Sequence, residues 1–322
     1  DYYATDHESF ESVFTRELME DCEFELYDYM TEMLPNHIEF MKEVHETLGG
    51  ENVCTFKHFV VKIVATRMSG EMCTSLGNGF SNLMFMLFTA EEKGCTNVDG
   101  FVEGDDGIFR CNGEIPTKED FEKLGLRIKL DRYARISDAS FCGLVFDEQD
   151  LLVVTDPRKV LASFGWTTNN YSRSKQSKLQ ALLRCKGLSY AYQYPGCPII
   201  SSLANYALKQ TRSYDVRKII DTNKSLDSYR REELIKAMEY CGKGKWDDIF
   251  VPPGEGTRAL VAERYGIPKD LQLRIEEYLD GLSGTEELDL SFCEDIFPDS
   301  WFDYRTNYGV LADFKDPDLE YP

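Results

Sequence analysis

The sequence has no run of about 18 apolar residues, the length a membrane-spanning helix needs. Its first residues, Asp-Tyr-Tyr-Ala-Thr-Asp, carry no basic and apolar leader. A soluble protein with neither membrane span nor signal peptide is the expectation. Ten cysteines, at 22, 54, 73, 95, 111, 142, 185, 197, 241 and 293, form no C-x-x-C pair, and all four histidines precede residue 60. This spacing argues against a structural zinc site and leaves free, mostly buried thiols in a reducing compartment. No internal repeat or low-complexity segment stands out.

Positive charge is also scarce. The 36 Lys and Arg against 57 Asp and Glu leave a net charge of -21, which taken alone argues against a nucleic-acid partner, because phosphate contact depends on Lys and Arg. The distribution is uneven, however. Asp156 to Lys186 holds seven basic residues (Arg158, Lys159, Arg173, Lys175, Lys178, Arg184, Lys186) and one acid, whereas Glu286 to Glu320 holds eleven acids and two bases. Without other clues a basic stretch is a solvated helix face.

What is present is the composition of an ordered globular chain, 42% hydrophobic and 13% aromatic, and 322 residues make two domains the reasonable expectation. Tyr2 to Thr5 reads as the end of a strand and Ser9 to Met33 as one long helix. Leu34-Pro35-Asn36 breaks that helix, and Leu48-Gly49-Gly50 ends a second one. Phe56 to Thr66 is rich in β-branched and aromatic residues and reads as a strand, and Thr74 to Glu92 reads as helix. A helix near Lys118 to Leu124, a strand at Gly125 to Leu130 and a hairpin within Ala139 to Thr155 follow. Beyond Asp156 helices dominate, at Ser174 to Lys186, Ser201 to Lys209 and Tyr229 to Tyr240, so the domain boundary is drawn near 155.

Three stretches carry chemistry. In FVEGDDGIFR, Phe101 to Arg110, adjacent Asp105 and Asp106 sit between glycines and strand-like flanks, a β-hairpin with carboxylates at its tip. Their mutual repulsion requires water or a bound cation. In Ser69 to Asn78, S-G-x-x-x-T-x-x-x-N, a flexible Ser-Gly start leads into a helix on which Thr74 and Asn78, four apart, face one way and can read a ligand. In Thr5 to Ser12, Asp6 stands where a strand stops and Glu11 follows five residues on. Asp1 and Asp6 have the same spacing, so Asp1 is an alternative ligand; Asp6 is preferred because a strand precedes it.

Together these stretches closely resemble the palm of viral RNA-dependent RNA polymerases of positive-strand RNA viruses, of the tombusvirus and nodavirus kind. Asp6-x-x-x-x-Glu11 resembles motif A, Ser69 to Asn78 motif B and Gly104-Asp105-Asp106 motif C, in the family's order. Phe121 to Leu130 is similar to motif D, with Lys129 its basic residue, and Phe141-Cys142-Gly143 to motif E, the hairpin that holds the primer end. Many relatives have Asp where this chain has Glu11, one methylene longer, and the fingers segments that precede motif A in relatives have no counterpart here.

The resemblance implies an α+β fold: a right-hand polymerase palm, an antiparallel sheet with flanking helices, followed by a mostly α-helical thumb, with the N-terminal fingers largely missing. Residues 1–155 would be palm, with part of the fingers inserted at about 20–62, and 156–322 thumb and acidic tail. The implied activity is template-directed nucleotidyl transfer by two Mg²⁺ ions, with Mn²⁺ able to substitute. Asp6 and Asp105 would be the principal metal ligands and Asp106 a supporting one. Glu11, Ser69, Gly70, Thr74 and Asn78 would shape the nucleotide site, and Lys129 would protonate pyrophosphate. The basic run would contact RNA from the thumb. Implied partners are RNA template and product, nucleoside triphosphates, the missing fingers segment and other replicase proteins, in replication complexes of the host cytoplasm. The competing readings are a non-catalytic palm–thumb fragment acting as an RNA or replicase scaffold, and a reverse transcriptase. The latter fits poorly with Glu103-Gly104 before the paired aspartates.

Overall fold

The computed structural model describes residues 1–167, 171, 174–222, 226–242, 250–285 and 288–304. The chain divides into two compact units, Asp1–Val145 and Phe146–Pro322. The line near 155 follows helix content, and a short hairpin, Val145–Phe146 with Val153–Val154, lies between the two positions. The secondary structure is α+β, with an antiparallel sheet in the first unit and helices filling most of the second.

The first unit is built on a four-stranded sheet of β1 (Tyr2–His7), β4 (Thr96–Glu103), β5 (Asp106–Asn112) and β6 (Ile128–Tyr133), in the order β4-β5-β1-β6 and antiparallel throughout. β1 is therefore central. Its alternation buries Tyr3, Thr5 and His7 and leaves Asp6 exposed, as a pleated strand with one covered face must. Phe109 and Ile128 from the sheet join Phe10, Phe14, Met19, Phe24, Phe85, Met86 and Phe121 in one apolar cluster.

Ser9 to Met33 is not one helix. Ser9 has a φ of +53°, a short 3-10 turn covers Phe10–Val13, and the chain is extended at Phe14 and Thr15. Phe10 and Phe14 are each 1% exposed, and their burial in the core outweighs helical continuity. Thr15 then caps a new helix, its hydroxyl accepting from the Leu18 N–H at 3.2 Å. This helix runs as α1 (Arg16–Leu18), a π-helical segment Met19–Phe24, and α2 (Glu25–Thr31), followed by α3 (His37–Thr47).

Phe56 to Thr66 is likewise not one strand. β2 (Glu51–Thr55) and β3 (Val60–Val64) form a separate hairpin whose turn stacks Phe56 on Phe59, ring centroids 4.6 Å apart. The apolar run that reads as a strand thus supplies the turn and only the second strand. Helix α4 (Thr74–Glu92) has the limits expected of it, and α5 (Lys118–Glu122) leads to β6.

In the second unit α6 (Pro157–Ser163) precedes α7 (Gln176–Gln193), which packs on α8 (Ile200–Gln210) and α10 (Ser228–Gly242), with α9 (Arg217–Thr222) completing the cluster around Leu188, Leu208, Ile219, Ile220 and Leu234. Helices α11 (Glu255–Tyr265) and α12 (Lys269–Gly281) are tied by a buried ion pair, Arg258 Nη2 to Glu276 Oε2 at 2.9 Å. Among the described residues no helix is long and apolar enough to cross a membrane.

Candidate active site

Three strands bring the predicted acidic residues to one end of the sheet. Asp6 pairs with Lys129 of β6 on one side. On the other, the register Tyr3↔Phe109, Ala4↔Ile108, Thr5↔Gly107 runs on toward Asp106. Asp1 lies at the opposite end of β1, where it accepts from Arg132 Nε at 2.9 Å. A strand rises roughly 3.3 Å per residue, so Asp1 is about 16 Å from Asp6 along the chain and the alternative register is excluded.

β4 and β5 are joined by Gly104 and Asp105, with Glu103 opposite Asp106. Gly104 has a φ of +60° and Asp105 a negative one, the pattern of a type II′ turn, which calls for glycine at its first central position. Asp105 is thus the tip, and Asp106 is already the first residue of β5. Nothing lies within 4 Å of a Cβ placed on Gly104, so backbone conformation and not crowding demands the glycine. Gly104→Ala should cost about 1–2 kcal/mol, read as a lower denaturation midpoint at an unchanged m-value.

Burial raises the pKa of the half-buried Asp106 carboxyl. Cys142 opposes this with hydrogen bonds from its thiol and backbone N–H, while the charges of Asp105 and Asp6 add to the rise. Phe141 and Leu144 exchange two backbone hydrogen bonds of 2.9 Å around Cys142 (φ +50°) and Gly143 (φ +74°), a type I′ turn that sets Cys142 against Asp106. Burial, then Asp106, push the Cys142 thiol up to about 11, so it remains a donor.

Helix α4 forms the wall beside this turn. Ser75, Gly79 and Asn82, at i, i+4 and i+7, share one face. Ser75 Oγ donates to Glu103 Oε1 at 2.7 Å, and a Cβ on Gly79 would lie 3.4 Å from the Gly104 nitrogen. Asn82 Nδ2 lies 3.0, 3.1 and 3.4 Å from the carbonyl oxygens of Asp105, Asp106 and Gly104. Sequence reasoning missed Asn82. The available signal was an amide one helical turn beyond Asn78 in an apolar helix, a group that must find partners.

Asn78 is buried and donates from Nδ2 to Glu11 Oε1 at 3.3 Å, while its Oδ1 is buried without a partner. The two residues expected to cooperate are therefore in contact despite the longer side chain of Glu11. Thr74 behaves differently from expectation. Its hydroxyl donates to Glu71 O (3.0 Å) or Met68 O (3.3 Å) and so closes its own loop instead of facing a ligand beside Asn78. Ser69 and Gly70 are exposed in that loop, with Gly70 at φ +97°. Lys129 Nζ lies 2.8 Å from Asp131 Oδ2, which raises its pKa.

Among the described residues no three His, Cys, Asp or Glu side chains are gathered closely enough to form a ready-made metal site. The donor chemistry nonetheless fits a hard divalent cation. Asp6, Asp105 and Asp106 present only carboxylate oxygens, and their negative charges bear on one another.

The basic run of the second unit is not one exposed face. At about 100° per residue, Lys178, Arg184 and Lys186 point in different directions around α7. Arg158 is held by both oxygens of Asp156 at 2.9 Å. Arg184 donates to Leu208 O at 3.2 Å, Lys186 lies over the Tyr190 ring at 5.5 Å, and burial lowers the pKa of both cations. Lys159, Lys175 and Lys178 are exposed. Arg173 lies outside the described residues, as do 286–287 and 305–322 of the acidic stretch.

Residues 1–194 match the sequence model of the family described as viral RNA-dependent RNA polymerase. Among curated proteins, none matches the chain.

Proposed function

The chain belongs to the viral RNA-dependent RNA polymerases, and from that premise we propose that Asp6, Asp105 and Asp106 are the carboxylates at which it joins ribonucleotides, by two-metal-ion transfer, in copying a viral genome. One observation carries the reading. Segments a hundred residues apart deliver three carboxylates to one end of one sheet, near enough for Asp105 and Asp6 to raise the pKa of Asp106. An all-oxygen donor set suits Mg²⁺, with Mn²⁺ as a substitute. Bound there, such ions lower the pKa of an attacking 3′-hydroxyl and offset charge on the departing pyrophosphate.

The remaining roles belong to the chain itself. Asp6 and Asp105 are the principal ligands in this reading, and Asp106, steadied by Cys142, is the supporting one. Lys129, kept cationic by Asp131 and paired across the sheet with Asp6, donates a proton to pyrophosphate. The Phe141-Cys142-Gly143 turn, which already touches Asp106, holds the primer end. Exposed Lys159, Lys175 and Lys178 take phosphates of template and product without regard to sequence. Template-dependent incorporation of ribonucleotides in Mg²⁺ or Mn²⁺ tests the reading. No incorporation, with or without residues upstream of Asp1, would leave an RNA-docking scaffold instead.

The Glu11–Asn78 pair reads the sugar. The buried, unpartnered Asn78 Oδ1 is an acceptor for a ribose 2′-hydroxyl, the group that separates RNA from DNA. Asn78→Ala should lower the preference for ribonucleotides over deoxyribonucleotides about tenfold, the worth of one good hydrogen bond. Competing incorporation of the two sugars measures it, and an unchanged ratio removes the assignment.

A further inference from the structure

We propose that Asn82, oriented by His7, is the positioning residue that fixes the Asp105–Asp106 turn against the strand bearing Asp6. The inference deepens the polymerase reading and rests on it. The hairpin sets the adjacent Asp105 and Asp106 carboxylates in mutual repulsion, and the carbonyls of its two linking residues, Gly104 and Asp105, lie outside the β4–β5 ladder. Here three successive carbonyl oxygens, those of Gly104, Asp105 and Asp106, converge on one amide nitrogen at 3.4, 3.0 and 3.1 Å. Asn82 is 1% exposed, so water does not compete for these hydrogen bonds.

The other end of the amide fixes its orientation. Asn82 Oδ1 lies 3.2 Å from His7 Nε2, and an amide oxygen only accepts, so His7 carries its proton on Nε2. The His7 ring is buried and stacked on Phe10 at 4.2 Å, which leaves it little freedom to turn. His7 directly follows Asp6 in β1. One side chain from α4 therefore bridges the strand that presents Asp6 and the turn that presents Asp105 and Asp106. The separation of the two ligand groups is set by a neutral amide, which can hold them without adding charge to the site.

The test measures Mn²⁺ affinity by electron paramagnetic resonance, beside the Mg²⁺ concentration for half-maximal synthesis. Asn82→Ala should weaken Mn²⁺ binding about tenfold, as loss of an orienting partner does at metal sites. RNA affinity should stay within about twofold. His7→Phe, which keeps a ring against Phe10 but removes the donor, should shift Mn²⁺ affinity in the same direction and by less than Asn82→Ala does, because it acts through the amide. A lowered melting temperature with Mn²⁺ affinity unchanged in both variants would overturn the inference and make Asn82 a packing residue. Should Asn82→Ala not fold, His7→Phe decides the matter alone. Bound Mn²⁺ that Asp105→Ala does not remove would overturn the metal-site reading itself, and this inference with it.

Discussion

Asp105→Asn should reduce ribonucleotide incorporation by about 10³-fold or more while leaving the fold as stable as before, or slightly more so. The loss follows from removing a charged ligand whose bound cation is worth several kcal/mol in the transition state, at about 1.4 kcal/mol per tenfold in rate. The gain follows from geometry. Asp105 is the second central residue of a tight turn, a position that accepts Asn as readily as Asp. Its negative charge lies beside Asp106 and near Asp6, so neutralising it relieves repulsion that the folded chain now bears. Incorporation on a primed RNA template, with the thermal midpoint of the same preparation, reads both effects. Activity retained within tenfold would sink the assignment. A large fall in stability would show that Asp105 holds the turn together instead of serving a reaction. Opposite movement of activity and stability marks a residue kept for chemistry at the expense of the fold.

The sites most legible in the sequence are those whose chemistry is local. Gly104-Asp105-Asp106 reads as a turn from its glycine and strand-like flanks, but two neighbouring aspartates alone are as readily a polar turn, and they point to a cation only beside Ser69 to Asn78 and Asp6. Asp6 stands out because a strand-like run, Tyr2 to Thr5, precedes it, although β1 continues through Asp6 to His7. The contact of Asn78 with Glu11 follows from a resemblance in motif order, not from spacing, since 67 residues separate the two. What escaped depends on tertiary context. Asn82 is one more polar residue on a helix until the turn it serves is placed against it. The break at Phe14 and Thr15 is hidden by continuous helical periodicity, because the core's demand for Phe10 and Phe14 does not appear in the local pattern. The basic run reads as one patch because linear counting ignores the helical angle, and Arg158, Arg184 and Lys186 turn their stems or charges into the fold.

The second large effect lies away from the carboxylates, at a pair that no motif points to. Glu23 and Arg67 are both fully buried, and Arg67 spans the Glu23 carboxylate with two nitrogens, one bond measuring 3.2 Å. The π-helical turn Met19–Phe24 directs Glu23 inward. There Tyr27 donates its hydroxyl to the same carboxylate, and the Arg67 guanidinium rests 4.5 Å from the Phe14 ring centre. Gly77 of α4 closes over the pair: a Cβ there would stand 2.4 Å from Glu23 Oε1 and 2.7 Å from Arg67 Nη1. Glu23→Ala should therefore destabilise the first unit by about 3–5 kcal/mol, because the partner charge is left buried without compensation. Adding Arg67→Met should recover most of that loss, since an apolar side chain of similar length pays no desolvation cost. Chemical denaturation of the two single variants and the double variant completes the cycle. A double variant no more stable than Glu23→Ala would mean that the pair's hydrogen bonds, and not its charges, hold the site. Arg67 stands two residues before Ser69, so the same anchor fixes the root of the exposed Ser69-Gly70 loop. Recovery of stability in the double variant without recovery of nucleotide incorporation would show that this ion pair is retained for the position of that loop.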